Sequence, residues 1–314
     1  MATIHKLSVI SLLVTSLGGA AAAQDDTFDA VRNRYRQIRS VHLTATANVV
    51  RRPDVESSAV VRGNMKVEYL ASPRGYWMNC SSDPSLGLVD DMELAFDGGQ
   101  WQLLQVSKRE LGLSTQPNRA NPLTCPNPLF LMVEYAGPPP TGCKACSVAL
   151  QDLWNTDSAT VQPTGRLSGT ARTYSIRDRD PKSARRFDVT VEQKGGSVVP
   201  TILVEFYPSG RPSSEVRASK FVTTAVGFLP TQVVIRSFED VESKQAADVV
   251  TYQIDSLSIN RKVDERRFLI DWSAADMVYD MDSGEYVVHP HRDEMNAALR
   301  RAKARAEAKP LLPQ

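Results

Sequence analysis

Histidine is scarce in this chain, which limits the catalytic mechanisms open to it. The sequence has four histidines among 314 residues, and only His42, His289 and His291 lie beyond the N-terminal leader. Ser-His and Cys-His catalysis needs an imidazole as the base, and this sequence has few to supply. The motifs G-x-S-x-G and H-E-x-x-H and a phosphate-cradling glycine loop are also missing. We therefore predict that the protein is not an enzyme and that it uses no catalytic residues, metal or cofactor.

An excess of charge of one sign is missing as well. Lysine and arginine together number 37, and aspartate and glutamate together number 36. Loss of Lys6 with the leader would make the two counts equal. A balanced chain has no electrostatic reason to bind a polyanion, so we do not expect nucleic acid as a partner.

Long apolar runs are confined to the N-terminus. Residues 1–23 combine the basic Lys6, an apolar stretch that ends at Leu17 and a run of small residues that ends at Ala23. This order is typical of a secretory signal peptide, and the apolar stretch is shorter than the ~18 residues that a membrane helix needs. We expect cleavage after Ala23 and a periplasmic or secreted protein.

The chain has only four cysteines, too few for a disulfide-dense scaffold. Cys143 and Cys146 form a Cys-x-x-Cys motif after three prolines, whereas Cys80 and Cys125 stand alone. Lys144 would stabilise a thiolate in a thiol–disulfide enzyme, but the motif has no β-α-β unit around it.

A structural staple is the interpretation we favour for these cysteines. A four-cysteine zinc site would need distant segments to converge in an oxidising compartment, which disfavours it. We favour bridges 143–146 and 80–125, since thiols that are close in sequence find each other most readily. The crossed pairings stay open.

Hydrophobic periodicity predicts a mainly β (α+β) fold. Residues 25–40 predict one amphipathic helix with arginines on its polar face and with an apolar face formed by Phe28, Val31, Tyr35 and Ile38. From Val41 onward, apolar residues alternate with polar ones, as in strands with one buried face. The sequence Asp97-Gly98-Gly99 predicts a tight hairpin between two such strands.

The order of these elements predicts a single domain at residues 24–288. Two antiparallel meanders flank residues 111–157, which read as a loop followed by a cysteine-containing helical insert. Because a one-sided sheet must cover its apolar face, we expect a curved, half-open β-barrel of about ten to eleven strands around two or three helices. The basic sequence of residues 289–314 predicts a flexible tail.

Segments from both meanders resemble a known family. The runs YRQIRSVHLTATANV, GNMKVEYLASPRGYWM and AFDGGQWQLL, and later GFLPTQVVIRSFED, VTYQIDSLSINRKVDERRF and VYDMDSG, resemble the lipoprotein-localisation factors (the LolA/LolB/RseB-like superfamily). They cover about half of the mature chain in matching order. The resemblance implies a half-barrel with a hydrophobic cavity that binds acyl chains or other amphiphiles without catalysis.

This resemblance suggests which apolar residues face a ligand and which function they serve. The candidates for the lining of a ligand cavity are Met65, Tyr69, Trp77, Phe96, Trp101 and Phe130. The alternative is that these residues fill an ordinary hydrophobic core. The expected function is a binding protein that shields a lipid, an acyl chain or a lipidated protein from water. The alternatives are an envelope-stress sensor that binds a membrane-bound protein partner, and a thiol–disulfide oxidoreductase that uses Cys143 and Cys146.

Overall fold

The computed structural model describes residues 30–31, 34–35, 37–52, 60–86, 91–115, 159–164, 171–178, 186–239 and 246–287. Fifteen strands lie within these ranges. In chain order they are β1 (Val41–Arg51), β2 (Val61–Ser72), β3 (Gly75–Ser82), β4 (Met92–Phe96), β5 (Trp101–Gln105), β6 (Glu110–Ser114), β7 (Ala159–Pro163), β8 (Ala171–Asp178), β9 (Arg186–Lys194), β10 (Ser197–Phe206), β11 (Pro212–Thr224), β12 (Gly227–Ser237), β13 (Asp248–Ile259), β14 (Met277–Asp280) and β15 (Glu285–Val287).

All fifteen strands belong to one open sheet with the order β15-β14-β6-β5-β4-β3-β2-β1-β13-β12-β11-β10-β9-β8-β7. The two meanders meet where β1 pairs with β13, from Val41↔Ile259 to Arg51↔Asp248. The predicted mainly β architecture with an unclosed sheet is confirmed. We expect a sheet of this width to curl, because strongly twisted sheets rarely exceed about ten strands while staying flat.

The predicted strand count was too low, and the four extra strands lie at the two edges of the sheet. β6, β7, β14 and β15 have three to five residues each, too few to show alternation. Leu111 to Ser114 were predicted as the start of a loop, but they form most of β6 because both β5 and β14 pair with them. The β14–β6 pair is parallel, which departs from the predicted all-antiparallel sheet.

Helical structure is sparse among the described residues. Ala30, Val31, Arg34 and Tyr35 are helical, within the predicted first helix, and we call them the N-terminal helix. Short 3₁₀ turns lie at Pro84–Leu86, Glu265–Phe268 and Trp272–Ala274. The predicted helix in the middle of the chain and the basic tail lie outside the described residues. Within the described ranges, no helix is long and apolar enough to cross a bilayer.

The two faces of the sheet carry separate apolar clusters. On what we call the inner face, alternate residues of eleven strands join Val31 of the N-terminal helix and Leu86 in one cluster. On the outer face, a smaller cluster from β2–β6 and β14 is covered by the 261–276 segment, through Phe268, Ile270 and Ala275. The inner face carries the larger of the two clusters.

The alternation of side chains along each strand determines which residues lie on the inner face. On β1, the residues Val41, Leu43, Ala45, Ala47 and Val49 are all buried, while the residues between them are half-buried or exposed. The predicted hairpin at Asp97 is confirmed: Asp97 Oδ1 accepts from the backbone N–H groups of Gly99 and Gln100, and Gly98 has a φ of 88°. Only glycine adopts that φ readily, so the turn residues set the β4–β5 register.

Candidate functional site

A row of four aromatic rings lies at one end of the inner face. Its members are Tyr69 on β2, Tyr76 on β3, Phe96 on β4 and Trp101 on β5. Ring centroids are 5.7 Å apart for Tyr69–Tyr76, 5.4 Å for Tyr76–Trp101 and 4.7 Å for Phe96–Trp101. The Tyr76–Trp101 pair is edge-on, one of the arrangements that the ring quadrupoles favour. We call these four residues the aromatic row.

Strand pairing brings the rings together. Tyr76 pairs with Phe96, and Phe96 pairs with Trp101 across the hairpin. Gly75 begins β3 directly against β4, where a Cβ at residue 75 would come within 2.1 Å of the Phe96 carbonyl oxygen. A side chain there would push β3 away from β4, so this glycine sets the close approach that aligns the row.

The hydroxyl of Tyr76 is the unusual polar group of the row. It is buried, and it has no hydrogen-bond partner among the residues that the structure describes. Desolvation, with a smaller contribution from Tyr69, raises the pKa of Tyr76 well above its usual value, so the phenol is protonated and can donate. Buried hydroxyls are nearly always paired, because an unpaired one costs about 1–3 kcal/mol.

The structure brings together most, but not all, of the predicted cavity residues. Tyr69 and Trp101 are 2% exposed and Phe96 is half-buried, all on the inner face. Met65 shares that face, four residues or about 13 Å along β2 from Tyr69. Phe130 lies outside the described residues. Burial this complete is also what a solid core shows, so burial alone assigns no ligand.

Trp77 belongs to the outer face, so it does not lie with the other predicted cavity residues. It sits between Tyr76 and Met78 on β3, and strand alternation turns it to the opposite side of the sheet. There its ring lies under Arg267, with the guanidinium carbon 3.8 Å from the ring centroid, and its indole N–H donates to Glu93. Trp77 therefore holds the 261–276 segment against the sheet.

Glu68 completes this outer contact. Its Oε1 accepts from Arg267 Nη1 at 2.8 Å and lies 3.0 Å from His42 Nε2. These partners, with Arg267 first, lower the pKa of Glu68 although partial burial opposes them. His42 is half-buried and paired with this carboxylate.

Another buried polar side chain, Arg34, lies where the N-terminal helix meets the sheet. The residue is 7% exposed, and its Nη1 has no hydrogen-bond partner among the described residues. Desolvation lowers the pKa of Arg34, although the usual value is high enough that the group stays charged. The prediction that the arginines of this helix face away from the sheet is wrong for Arg34, which lies three residues after the fully buried Val31 and so shares its side.

The hairpin between β11 and β12 forms the other side of the Arg34 site. Gly227 has a φ of 106°, and a Cβ there would lie 3.1 Å from Arg34 Nε. Gln232 of β12 pairs with Gln253 of the antiparallel strand β13, so Gly227, five residues before Gln232, lies level with Ser258, five residues after Gln253. Ser258 in turn pairs with β1 near the start of that strand. The aromatic row is level with the same end, since Val41 pairs with Ala71 and Ala71 with Tyr76.

Sequence reasoning missed Tyr76 and Arg34 as site residues. Tyr76, Trp77 and Met78 are consecutive apolar residues, so both faces of β3 are apolar and the pattern does not say whether Tyr76 or Trp77 turns inward. For Arg34 a signal was present: its helical position lies at the edge of the stripe formed by Val31, Tyr35 and Ile38.

The cysteine predictions fall mostly outside the described residues, where Cys125, Cys143 and Cys146 lie. Cys80 is buried on the inner face of β3 and is disulfide-bonded. Its partner is not among the described residues, so the 80–125 pairing stays a prediction. Within the described ranges, no group of three or more His, Cys, Asp or Glu side chains could hold a metal ion.

The comparisons with known proteins give similarity of structure at low sequence identity. No family model and no curated protein matches the chain. A LolA superfamily protein from Nitrosomonas europaea is 13% identical with a TM-score of 0.43, over 78% of this chain and 99% of that one. A DUF1329 family protein from Desulfovibrio piger is 8% identical with a TM-score of 0.45, over 78% and 97%.

A third structure, a Vibrio parahaemolyticus domain named for outer-membrane lipoprotein sorting, is 8% identical with a TM-score of 0.43, over 78% and 97%. Two of these three descriptions name the group of proteins that the sequence segments resemble. Since none of the TM-scores reaches 0.5, the function has to be argued from the side chains of this chain.

Proposed function

We propose that this protein is a non-catalytic binding protein of the periplasm or the extracellular space that shields the acyl chain of a lipid or lipidated partner on its inner face. The observation that carries the proposal is the aromatic row, an apolar surface that buries the Tyr76 hydroxyl with no hydrogen-bond partner in the described part of the chain. Ligand pockets combine an apolar lining with a few polar groups that orient the ligand. A plain core would pair such a hydroxyl or replace it.

The chemistry of the row fits an acyl ester or amide. The rings of Phe96 and Trp101 offer apolar area for methylene groups, while the Tyr76 hydroxyl offers one donor. A carbonyl oxygen joins an acyl chain to the rest of a lipid or of a lipidated protein, and it accepts such a bond. The hydroxyl therefore suits the polar end of the chain and the rings suit the chain itself.

The free energy of moving an acyl chain between a membrane and the protein is consistent with reversible binding. Burial of an acyl chain contributes about 0.8 kcal/mol per methylene, and a single chain binds a membrane only marginally. A protein face of comparable apolar area can thus take up a chain and release it again without a chemical step.

The first experiment is a titration of the protein with a fluorescent fatty acid. We expect saturable binding near one to one, because a formed site has finite capacity. Phe96→Glu should abolish binding, since an unpaired charge beside the row would have to be buried with the chain. Trp272→Glu is the matched control, because Trp272 is a half-buried aromatic residue of the outer face.

Two outcomes would decide against the proposal. If Trp272→Glu and Phe96→Glu lose binding equally while both keep their melting transitions, the inner face is not the site. If the folded wild-type protein ignores every amphiphile offered, a sensor that binds a protein partner becomes the better hypothesis.

The second experiment tests the role of the hydroxyl. 1-Lauroylglycerol and 1-O-dodecylglycerol share the glycerol and the chain length, but only the ester has a carbonyl. We expect wild-type protein to prefer the ester and Tyr76→Phe to lose the preference. An equal preference in both proteins would remove Tyr76 from the site.

A further inference from the structure

Arg34 carries a charge in a place where charge is costly. It is one of the few charged residues of the described chain that are more than nine-tenths buried, and the described residues provide it with no acidic partner. A buried charge without a counter-ion is strongly unfavourable unless something pairs with it. A structural arginine in such a position is normally matched by a carboxylate of the same protein.

Other arginines of this chain show that contrast. Arg217 and Arg236 both contact Glu215, and Arg186 contacts Asp188 within 2.7 Å. These arginines are more exposed than Arg34, so they need the pairing less. Among the described residues, Arg34 is the most deeply buried arginine, and no acidic side chain there pairs with it.

The position of Arg34 relates it to the aromatic row. Both lie at the same end of the inner face: Arg34 packs against Gly227 of β12, and Tyr76 lies on β3, four strand spacings from β12. Between Gly227 and Tyr76 this is about 19 Å along the sheet. An amphiphile whose chain lies on the row would have its polar part within reach of Arg34.

We propose that Arg34 binds the anionic headgroup of the acyl ligand, a phosphate or carboxylate, so that the inner face selects anionic over neutral acyl lipids. The inference rests on the proposed function, because it adds a headgroup contact to the same site. Guanidinium is suited to this role because its planar N–H donors match two oxygens of a carboxylate or phosphate. The glycine at position 227 leaves the space beside Nε that a side chain would fill.

Three probes that differ by one part each test the proposal. They are 1-lauroylglycerol 3-phosphate, neutral 1-lauroylglycerol and chain-free glycerol 3-phosphate, each measured by displacement of the fluorescent fatty acid and by calorimetry. We expect the wild-type protein to bind the lauroyl phosphate about ten- to a hundredfold more tightly than the neutral lipid, the range of a charge-assisted pair. Glycerol 3-phosphate alone should not bind at the same concentrations.

Variants of the full mature chain locate the effect. Arg34→Met should bind the phosphate lipid and the neutral lipid with equal affinity, while Arg34→Lys keeps part of the preference. Arg39→Met, which removes an exposed arginine five residues later, should behave as wild type. Free Arg34→Met protein should also be at least as stable as wild type, since it loses an unpaired buried charge, whereas a structural clamp would be destabilised.

The outcomes separate this inference from the proposed function. Equal wild-type affinity for the charged and neutral lipids overturns the headgroup contact and leaves acyl binding in place. Arg34-dependent binding of glycerol 3-phosphate alone would show a free-anion site instead, which also overturns it. Failure of all lauroyl probes to bind overturns the proposed function itself.

Discussion

Replacement of Tyr76 by phenylalanine should stabilise the ligand-free protein, against the usual effect of core mutations. The tyrosine buries its hydroxyl without a partner among the described residues, at a cost of about 1–3 kcal/mol. Phenylalanine keeps the ring contacts with Tyr69 and Trp101 and removes only that oxygen. Because the oxygen leaves a small void, we expect a gain near the lower limit, about 1 kcal/mol in the free energy of unfolding.

Tyr207→Phe is the matched comparison, with the opposite expected sign. The Tyr207 hydroxyl donates to the Phe238 carbonyl oxygen at 2.8 Å, and the lost bond should cost about 1 kcal/mol. Urea unfolding with linear extrapolation should therefore separate the two variants by about 2 kcal/mol at unchanged slope. If Tyr76→Phe is destabilised as much as Tyr207→Phe, the Tyr76 hydroxyl is already paired and the argument from it fails.

Three further predictions concern the rest of the molecule. The pKa of Glu68 is lower in the folded protein than its unfolded value of 4.5, so the ionised carboxylate stabilises the fold above that pH, and this stability is lost as the pH falls through the folded pKa. Glu68→Gln should therefore make the free energy of unfolding depend less on pH in the acid range. An unchanged dependence on pH would refute the Arg267–Glu68 contact. Gly63→Ala places a Cβ 2.6 Å from Leu86 Cγ and should lower the free energy of unfolding by about 1–3 kcal/mol, and by less when Leu86 is also replaced by alanine. If urea unfolding shows that the effects of the two substitutions simply add, the contact is contradicted. Thiol titration of denatured, unreduced protein should detect no free cysteine, and two free thiols would rule out the paired-staple interpretation.

The longer strands could be predicted because one of their faces is buried. Val41 to Val49 alternate so regularly that the inner-face residues of β1 follow from the sequence alone. The hairpin at Asp97 also follows from the sequence, since Gly98 adopts a backbone conformation that other residues avoid. Alternation does not reveal the edge of the sheet. β14 and β15 are too short to display a period, and they are strands because β14 pairs with β6 and β15 pairs with β14.

The candidate site was only partly predictable, for a physical reason. Tyr69, Phe96 and Trp101 were predicted to line a cavity or fill a core, and all three lie on the inner face. Trp77 was placed with them because β3 buries both faces, and only the 261–276 segment on the outer face explains why its ring turns outward. Arg34 was missed because an analysis of hydrophobic periodicity assigns every arginine to the solvent-exposed face of a helix. Arg34 lies three residues after the buried Val31, and this spacing places it on the buried face.

The measurement closest to the central claim asks which tryptophan touches the bound chain. A 1-acylglycerol with a brominated acyl chain quenches tryptophan fluorescence on contact, so it should quench the wild-type protein in a saturable way. Trp101→Phe should remove most of this quenching, while Trp77→Phe, on the outer face, should keep it. Quenching that survives Trp101→Phe but is lost in Trp77→Phe would place the chain on the outer face and contradict the account.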